Sequence, residues 1–176
     1  MTTTIDFRPV SLSLTNFRTY LFGAAFVLGN ILLPQLCHLL PDGGKMFLPI
    51  FFFTLIGSYK FGIRVGLLTA ILSPLLNHLL FGMPPSAVLP IILIKSSLLA
   101  IAAAWIAKGS RKLSLFLLAA VVLAYQLTGG VAEFFITNSM DAAFQDFRLG
   151  MPGLLFQIIG GWLILKTLAD YGTKKF

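Results

Sequence analysis

Lys95 and Glu133 are ionisable side chains within stretches of sequence that are otherwise apolar. Such a side chain costs roughly 2.5–3.5 kcal/mol in the middle of a membrane, so each needs a partner or a task. A lysine can meet an anionic or carbonyl group, and a glutamate can meet a cationic or N–H group. Counted at 1.5 Å rise per residue, Lys95 lies ~12 Å and Glu133 ~6 Å inward from the outer ends of their predicted helices. Their long side chains can bridge that difference. The pair is predicted either to tie two helices together as an ion pair or to contact a ligand.

Amide and imidazole side chains gather in the outer half or near the middle of the predicted spans, or in the outer loop that follows the fifth span. They are Gln126, Gln157, Asn138, Asn77, His78 and His38. The inner halves of the predicted helices contain almost no charge. A few convergent polar groups in apolar surroundings are typical of a binding pocket, whereas a conducting pore needs polar lining through both halves. The two histidines have a second interpretation, since each can face lipid headgroups or cap a helix.

No catalytic constellation accompanies these residues. The chain has no His-Glu-x-x-His, Gly-x-Ser-x-Gly or Walker motif, and no two carboxylates share a predicted span. Its single cysteine, Cys37, excludes an internal disulfide and any multi-cysteine metal site, so its thiol is predicted to pack. We therefore predict a protein that is not an enzyme, needs no cofactor or metal, and does not hydrolyse ATP itself.

The elements that carry these residues are predicted membrane spans. Hydrophobic residues make up 57% of the 176-residue chain and charged residues 11%, against roughly 25% charged residues in a soluble domain. Such a chain cannot cover itself with polar surface, so its solvent is predicted to be lipid. The predicted fold class is an all-α integral membrane protein with six transmembrane helices in one bundle. The six spans are Tyr20–Leu40, Met46–Ser58, Phe61–Leu80, Ala87–Ala107, Leu113–Thr137 and Met151–Leu168.

The second span is the shortest. At ~13 residues it falls short of the ~20 that cross a bilayer straight. It is predicted either to be short and buried against its neighbours, or to begin irregularly and line a cavity. In the fifth span, Gly129 and Gly130 share a helical face with Glu133 and predict the close approach of another backbone or of a ligand. In the loop that follows, Met140, Ala143, Phe144 and Phe147 recur at helical spacing, which predicts a short amphipathic helix at the surface.

The basic residues sort by side. Ten are predicted to lie on the side of the membrane where both chain ends are found: Arg8, Arg18, Lys60, Arg64, Lys108, Arg111, Lys112, Lys166, Lys174 and Lys175. Only Lys45 and Arg148 fall on the other side. By the positive-inside rule, both termini are predicted to be cytoplasmic, in the cell membrane. Residues 1–18 form a cytoplasmic segment, 19–170 the membrane domain and 171–176 a basic tail. The net charge of +7 is therefore interpreted as basic residues that set the membrane topology, and not as a nucleic-acid-binding surface.

A resemblance to a known family adds to these predictions. The chain resembles the substrate-binding S components of energy-coupling-factor (ECF) transporters, most of all over Phe47–Pro85, FLPIFFFTLIGSYKFGIRVGLLTAILSPLLNHLLFGMPP. A short second span, a glycine-containing inner turn, a third span with Gly and Pro, and an outer Gly-x-Pro turn match the family pattern. In outline the resemblance extends over Tyr20–Leu168.

The resemblance implies a vitamin or micronutrient binder that works with a transmembrane coupling subunit and two cytoplasmic ATPases. It implies a ligand near the outer surface, under the loop joining spans 1 and 2 and against spans 4 to 6. It also implies docking of the coupling subunit on small residues four apart in span 1, for which the nearest match is Ala25 and Gly29. The predicted function is a membrane-embedded binding subunit for micronutrient uptake. The alternative is a non-transport scaffold that recruits other envelope proteins.

Overall fold

The computed structural model describes residues 4–172, the side chains of 170–172 excepted. Within this range the elements, in order, are β1 Ile5–Asp6, α1 Phe17–Cys37, α2 Gly43–Phe47, α3 Phe52–Phe61, α4 Ile63–Phe81, α5 Leu89–Ser110, β2 Lys112–Leu113, α6 Leu115–Thr137, α7 Met140–Arg148 and α8 Met151–Gly172. A 3-10 turn, Pro49–Phe51, leads into α3. The predicted basic tail begins inside α8 and otherwise lies outside the described residues, together with Lys174 and Lys175.

Five helices, α1, α4, α5, α6 and α8, are long and apolar enough to cross a bilayer. The longest, α6, has 23 residues, which makes it ~35 Å long against a hydrocarbon core of ~30 Å. Large apolar side chains such as Leu32, Trp105 and Phe135 are exposed on the outside of the bundle. An apolar surface of this extent fits lipid and not water. Within the described residues, one short strand pair and connecting loops accompany the helices, and the chain is a multi-pass membrane protein.

The predicted second span is divided into α2, the 3-10 turn and α3. Asp42 and Leu48 adopt left-handed backbone conformations, with φ of 51° and 46°, and turn the chain on either side of α2. The ten-residue α3 is buried along nearly its whole length and packs against α1, α4, α5 and α8. Both interpretations of this span are confirmed, because α3 is short and buried and the irregular segment before it lines a cavity.

The N-terminal segment closes one end of the helix bundle, called the closed end below. β1 pairs antiparallel with β2, which lies between α5 and α6. The Val10 N–H donates to the Lys60 carbonyl at 2.7 Å, and the Arg64 guanidinium donates to the Leu12 carbonyl at 3.1 Å. Residues 5–12 therefore lie across both the α3–α4 junction and the α5–α6 connection.

Phe7 extends the core into this closed end. Its side chain is fully buried, and its ring centroid lies 5.3 Å from that of Tyr59 in an edge-on arrangement. The Lys60 ammonium lies 4.8 Å from the same ring centroid, and the Tyr59 hydroxyl donates to the Lys112 carbonyl at 2.7 Å. Because α8 also contacts β2, the first and last described segments of the chain meet at one end of the bundle.

A buried amide joins three helices in the interior of the bundle. Asn30 of α1 has no exposed surface. Its Nδ2 donates to Thr54 Oγ1 at 3.0 Å and to Ser73 Oγ at 3.2 Å, and its Oδ1 accepts from the Phe53 N–H at 3.1 Å. The Phe53 N–H lies in the first turn of α3, where backbone donors lack partners within the helix. Asn30 therefore caps α3 and fixes α1 and α4 beside it.

Candidate functional site

A cavity of about 910 Å³ opens at the end of the bundle opposite the closed end, called the open end below. Its walls are the end of α1 with the loop to α2, the 3-10 turn, the α4–α5 turn, the first turns of α5, the end of α6, and α7. The lining is mainly apolar and includes Pro34, Leu48, Ile50, Phe51, Ile91 and Ile92. Its volume lies in the range of roughly 300–1,000 Å³ that is usual for small-molecule sites.

A three-residue ion cluster forms part of this wall. The Lys95 ammonium lies 2.5 Å from Glu133 Oε2 and 2.8 Å from Asp146 Oδ2. The side chains of Lys95, Glu133 and Asp146 are only 4%, 13% and 16% exposed. The ion-pair interpretation of Lys95 and Glu133 is confirmed. The same two side chains line the cavity, as the ligand-contact interpretation requires.

Sequence analysis missed Asp146 as the second partner of Lys95. Asp146 belongs to α7, which confirms the short helix predicted between the fifth and sixth spans. Ala143 of that helix is buried, and α7 lies against α6 and α8. The available signal was that Asp146 follows Ala143 by three residues and so shares its inward face. Asp146 lies outside the predicted spans, so hydropathy alone does not bring it to the depth of Lys95.

The paired glycines of α6 make room for this cluster. A Cβ on Gly129 would lie 2.5 Å from Lys95 Cγ, and one on Gly130 would lie 3.2 Å from the Ala143 carbonyl oxygen. The close approach predicted for this face is therefore confirmed. Gly129 accommodates the stem of Lys95, and Gly130 accommodates the backbone of α7.

Asn77 of α4 lines the cavity with its side chain 2% exposed. Its Nδ2 donates to the backbone carbonyls of Asn30 and Ser73, both at 2.9 Å. Carbonyl oxygens only accept, so the orientation of the Asn77 amide is determined by its neighbours. Its Oδ1 is buried, and no described residue donates a hydrogen bond to it. A ligand with a suitably placed N–H or O–H would satisfy this acceptor.

The two histidines have different surroundings. His38 lines the cavity from the end of α1 and is exposed. His78 is half-buried, and its Nδ1 lies 2.7 Å from the Pro84 carbonyl oxygen, so it secures the turn between α4 and α5. His78 is not among the lining residues, although Met83 and Pro84 of that turn are.

Gln126 and Gln157 come together, but behind the cavity. Both are buried, and both contact Tyr125, whose hydroxyl donates to Gln157 Oε1 at 2.9 Å and accepts from Gln126 Nε2 at 3.0 Å. The Phe51 ring, which lines the cavity, lies 5.4 Å from the Tyr125 ring. Neither glutamine lines the cavity. Tyr125, the centre of this network, was not identified from the sequence.

Asn138 is exposed and ends α6 in a left-handed conformation with φ of 50°. Asparagine tolerates this conformation better than most side chains do. Of the eight residues predicted for the ligand site, Lys95, Glu133, Asn77 and His38 therefore line one cavity. Gln126, Gln157, Asn138 and His78 lie outside it.

The two residues predicted for docking differ in exposure. Ala25 is exposed on the outer side of α1, whereas Gly29 is half-buried. A Cβ on Gly29 would lie 2.7 Å from the Phe53 ring, so its small size is used inside the bundle. Beside Ala25, an apolar groove between α1 and α4 is lined by Gly23, Ala24 and Leu68, among others.

No protein-family model, characterised protein or solved structure matches this chain.

Proposed function

We propose that this protein is a membrane-embedded substrate-binding subunit that captures a small, water-soluble micronutrient at the outer face of the cell membrane. The observation that carries the proposal is the asymmetry of the bundle. A cavity of about 910 Å³ with a few polar groups occupies the open end, while buried apolar side chains fill the closed end. This arrangement suits capture of a solute from one side.

A channel would need a continuous polar path between the two ends. Between the cavity and the closed end lie Phe51, Leu55 and Tyr59, all at most 2% exposed, and Phe7 follows them in the same core cluster. These side chains leave no such path along α3. This supports assigning the cavity as a binding site rather than as the mouth of a pore.

The proposed topology has six crossings, with both termini cytoplasmic. α3 and its preceding turn run from Phe51, which lines the cavity, to Lys60, which binds the N-terminal segment. This path supports counting the second span as a crossing. The closed end carries the basic residues Arg8, Lys60, Arg64, Arg111 and Lys112, and the positive-inside rule assigns such an end to the cytoplasm. The open end then faces the outside, where nutrients are found.

Labelling of introduced cysteines tests this topology. In a background with Cys37→Ala, Ser86→Cys places a thiol in the exposed α4–α5 turn at the open end, and Gly109→Cys places one at the exposed end of α5 near the closed end. A membrane-impermeant maleimide applied to intact cells should label the first variant and not the second. Labelling of Gly109→Cys but not Ser86→Cys would invert the topology and contradict capture from outside.

Energy for uptake is proposed to come from other subunits, because the sequence has no Walker motif. The resemblance to S components supports a coupling subunit and two ATPases as those partners. The cavity is covered by the loop after α1 and bounded by α5 and α6, which agrees with the ligand position that the resemblance implies. No described side chain of α8 lines the cavity, so this chain departs from that expectation at the sixth span.

Native mass spectrometry of the protein in nanodiscs tests binding directly. A small molecule should co-purify, and Ala142→Trp, which fills the cavity from α7, should abolish its retention. Ala25→Trp is the matched substitution on the outer side of α1. It should retain the molecule while reducing uptake in cells, if α1 docks the coupling subunit. A protein that carries no small molecule, and whose stable partner has no associated ATPase, would instead support the scaffold alternative.

A further inference from the structure

We infer that the cavity selects a cationic ligand, either an organic amine or a heteroaromatic cation, that carries an N–H donor and an apolar body. This inference rests on the proposed function, because it specifies the ligand of the same cavity. Two independent features carry it: the net charge of the lining and the unsatisfied oxygen of Asn77.

The charges of the side chains that line the cavity do not sum to zero. Asp42 and Lys45 form an exposed ion pair with an N–O distance of 3.4 Å, which solvent screens and which is neutral overall. The remaining charges are the single ammonium of Lys95 against the carboxylates of Glu133 and Asp146. With His38 neutral, the cavity therefore carries one net negative charge. That charge lies on side chains no more than 16% exposed, where water compensates it poorly.

Lys95 is not available to bind an anion. Two of its three N–H donors already meet carboxylate oxygens at 2.5 and 2.8 Å, and its side chain is 4% exposed. An incoming anion would approach two carboxylates together with the one ammonium. A cation would meet a different situation, because Lys95 donates only to Oε2 of Glu133 and Oδ2 of Asp146. The second oxygen of each carboxylate receives no hydrogen bond from the described residues and can accept one from a cationic N–H.

Asn77 provides the independent observation. Its Nδ2 is committed to two backbone carbonyls, so its Oδ1 cannot exchange places with it. That oxygen is buried and receives no hydrogen bond within the described part of the chain, and its side chain lines the cavity. A buried acceptor without a donor is unfavourable, so this position favours a ligand with an N–H or O–H donor, which an organic amine supplies. The apolar walls at Phe51, Ile91 and Ile92 then enclose the body of the ligand.

The charge preference can be measured with three compounds that share one ring. Tryptamine is a cation at neutral pH, tryptophol is neutral and indole-3-acetate is an anion. Binding of each to the full-length protein is measured by isothermal titration calorimetry in phosphatidylcholine nanodiscs, whose zwitterionic surface does not favour either charge. Charge-assisted hydrogen bonds contribute a factor of roughly ten or more. Tryptamine should therefore bind about tenfold tighter than tryptophol, and indole-3-acetate should bind most weakly.

Two substitutions on α7 provide a matched pair. Asp146→Asn leaves Lys95 with one carboxylate, so the cavity becomes neutral and the preference for tryptamine over tryptophol should disappear. Asp141→Asn removes an exposed carboxylate that pairs with Arg148 outside the cavity, and the preference should remain. Glu133→Gln neutralises the second acidic partner and serves as the replacement if Asp146→Asn does not fold.

The outcomes separate this inference from the proposed function. Equal binding of the three compounds, tighter binding of indole-3-acetate, or no binding of tryptamine would overturn the cation inference. If an anionic molecule co-purifies and Ala142→Trp removes it, the proposed function stands and the cation inference is wrong. If nothing co-purifies and none of the three compounds binds, both are wrong.

Discussion

Replacing Lys95 by methionine should destabilise the protein, because it removes the only cation of the cluster while keeping an unbranched apolar stem. The two carboxylate oxygens that Lys95 now joins are within about 5 Å of each other, the most that the two bond lengths allow. Two like charges ~5 Å apart repel by about 3 kcal/mol at an effective dielectric constant of ~20. Removing one partner of a buried ion pair generally costs about 3–5 kcal/mol. The repulsion that Lys95 now offsets is similar to the lower end of this range, so we expect a loss of about 3 kcal/mol.

This loss is measurable by thermal unfolding. For a chain of this size, 1 kcal/mol corresponds to a shift of roughly 2–4 °C in Tm, so the apparent Tm should fall by roughly 6–12 °C. Intrinsic fluorescence of Trp105 and Trp162 in matched detergent, at one scan rate, provides the readout. The control is Lys45→Met, since Lys45 pairs with Asp42 in an ion pair whose side chains are 59% and 70% exposed. It should lose at most about 1 kcal/mol.

A rescue variant separates charge from packing. Lys95→Met combined with Glu133→Gln and Asp146→Asn leaves no charge in the cluster, so it should recover most of the lost stability. If Lys95→Met is as stable as the unmodified protein, the cluster does not hold α5, α6 and α7 together. If the triple variant is no more stable than Lys95→Met, the loss comes from packing, and the electrostatic reasoning is refuted.

Four further substitutions, one of them a control, test the close contacts of the fold by the same unfolding measurement. Gly129→Ala should destabilise by about 1–3 kcal/mol, because its Cβ would lie 2.5 Å from Lys95 Cγ. Gly109→Ala, with open space around its Cβ, should instead stabilise by about 0.5–1 kcal/mol; equal effects of the two would contradict the close approach. Asn30→Ala should cost about 2 kcal/mol, because the three hydrogen bonds that join α1 to α3 and α4 are lost. Tyr59→Phe should cost about 1 kcal/mol through the lost hydrogen bond at the closed end, and an unchanged Tm would show that this bond contributes nothing.

The membrane class and most helix positions could be predicted because they depend on local properties. The predicted fifth span, Leu113–Thr137, differs from α6 by two residues at its start, since hydropathy is read along the chain without knowledge of neighbours. The second span was less predictable. Its division into α2, a 3-10 turn and α3 depends on left-handed conformations at Asp42 and Leu48. The packing of α3 against four other helices helps to hold Asp42 and Leu48 in these left-handed conformations.

By itself, the sequence determined the depth of each polar group, because an α-helix rises by a constant amount per residue. It therefore placed Lys95 and Glu133 ~6 Å apart in depth, within reach of their long side chains, with Gln126 and Gln157 also in the outer half or near the middle of the membrane. Only the tertiary structure decided which way these side chains face, because the rotation of a helix about its axis is determined by packing against its neighbours. That rotation directs both glutamines towards Tyr125 and away from the cavity. The fold of α7 over the open end adds Asp146, a contact across 51 residues. Helical spacing indicates the inward face of α7, but only the tertiary structure brings that face to Lys95.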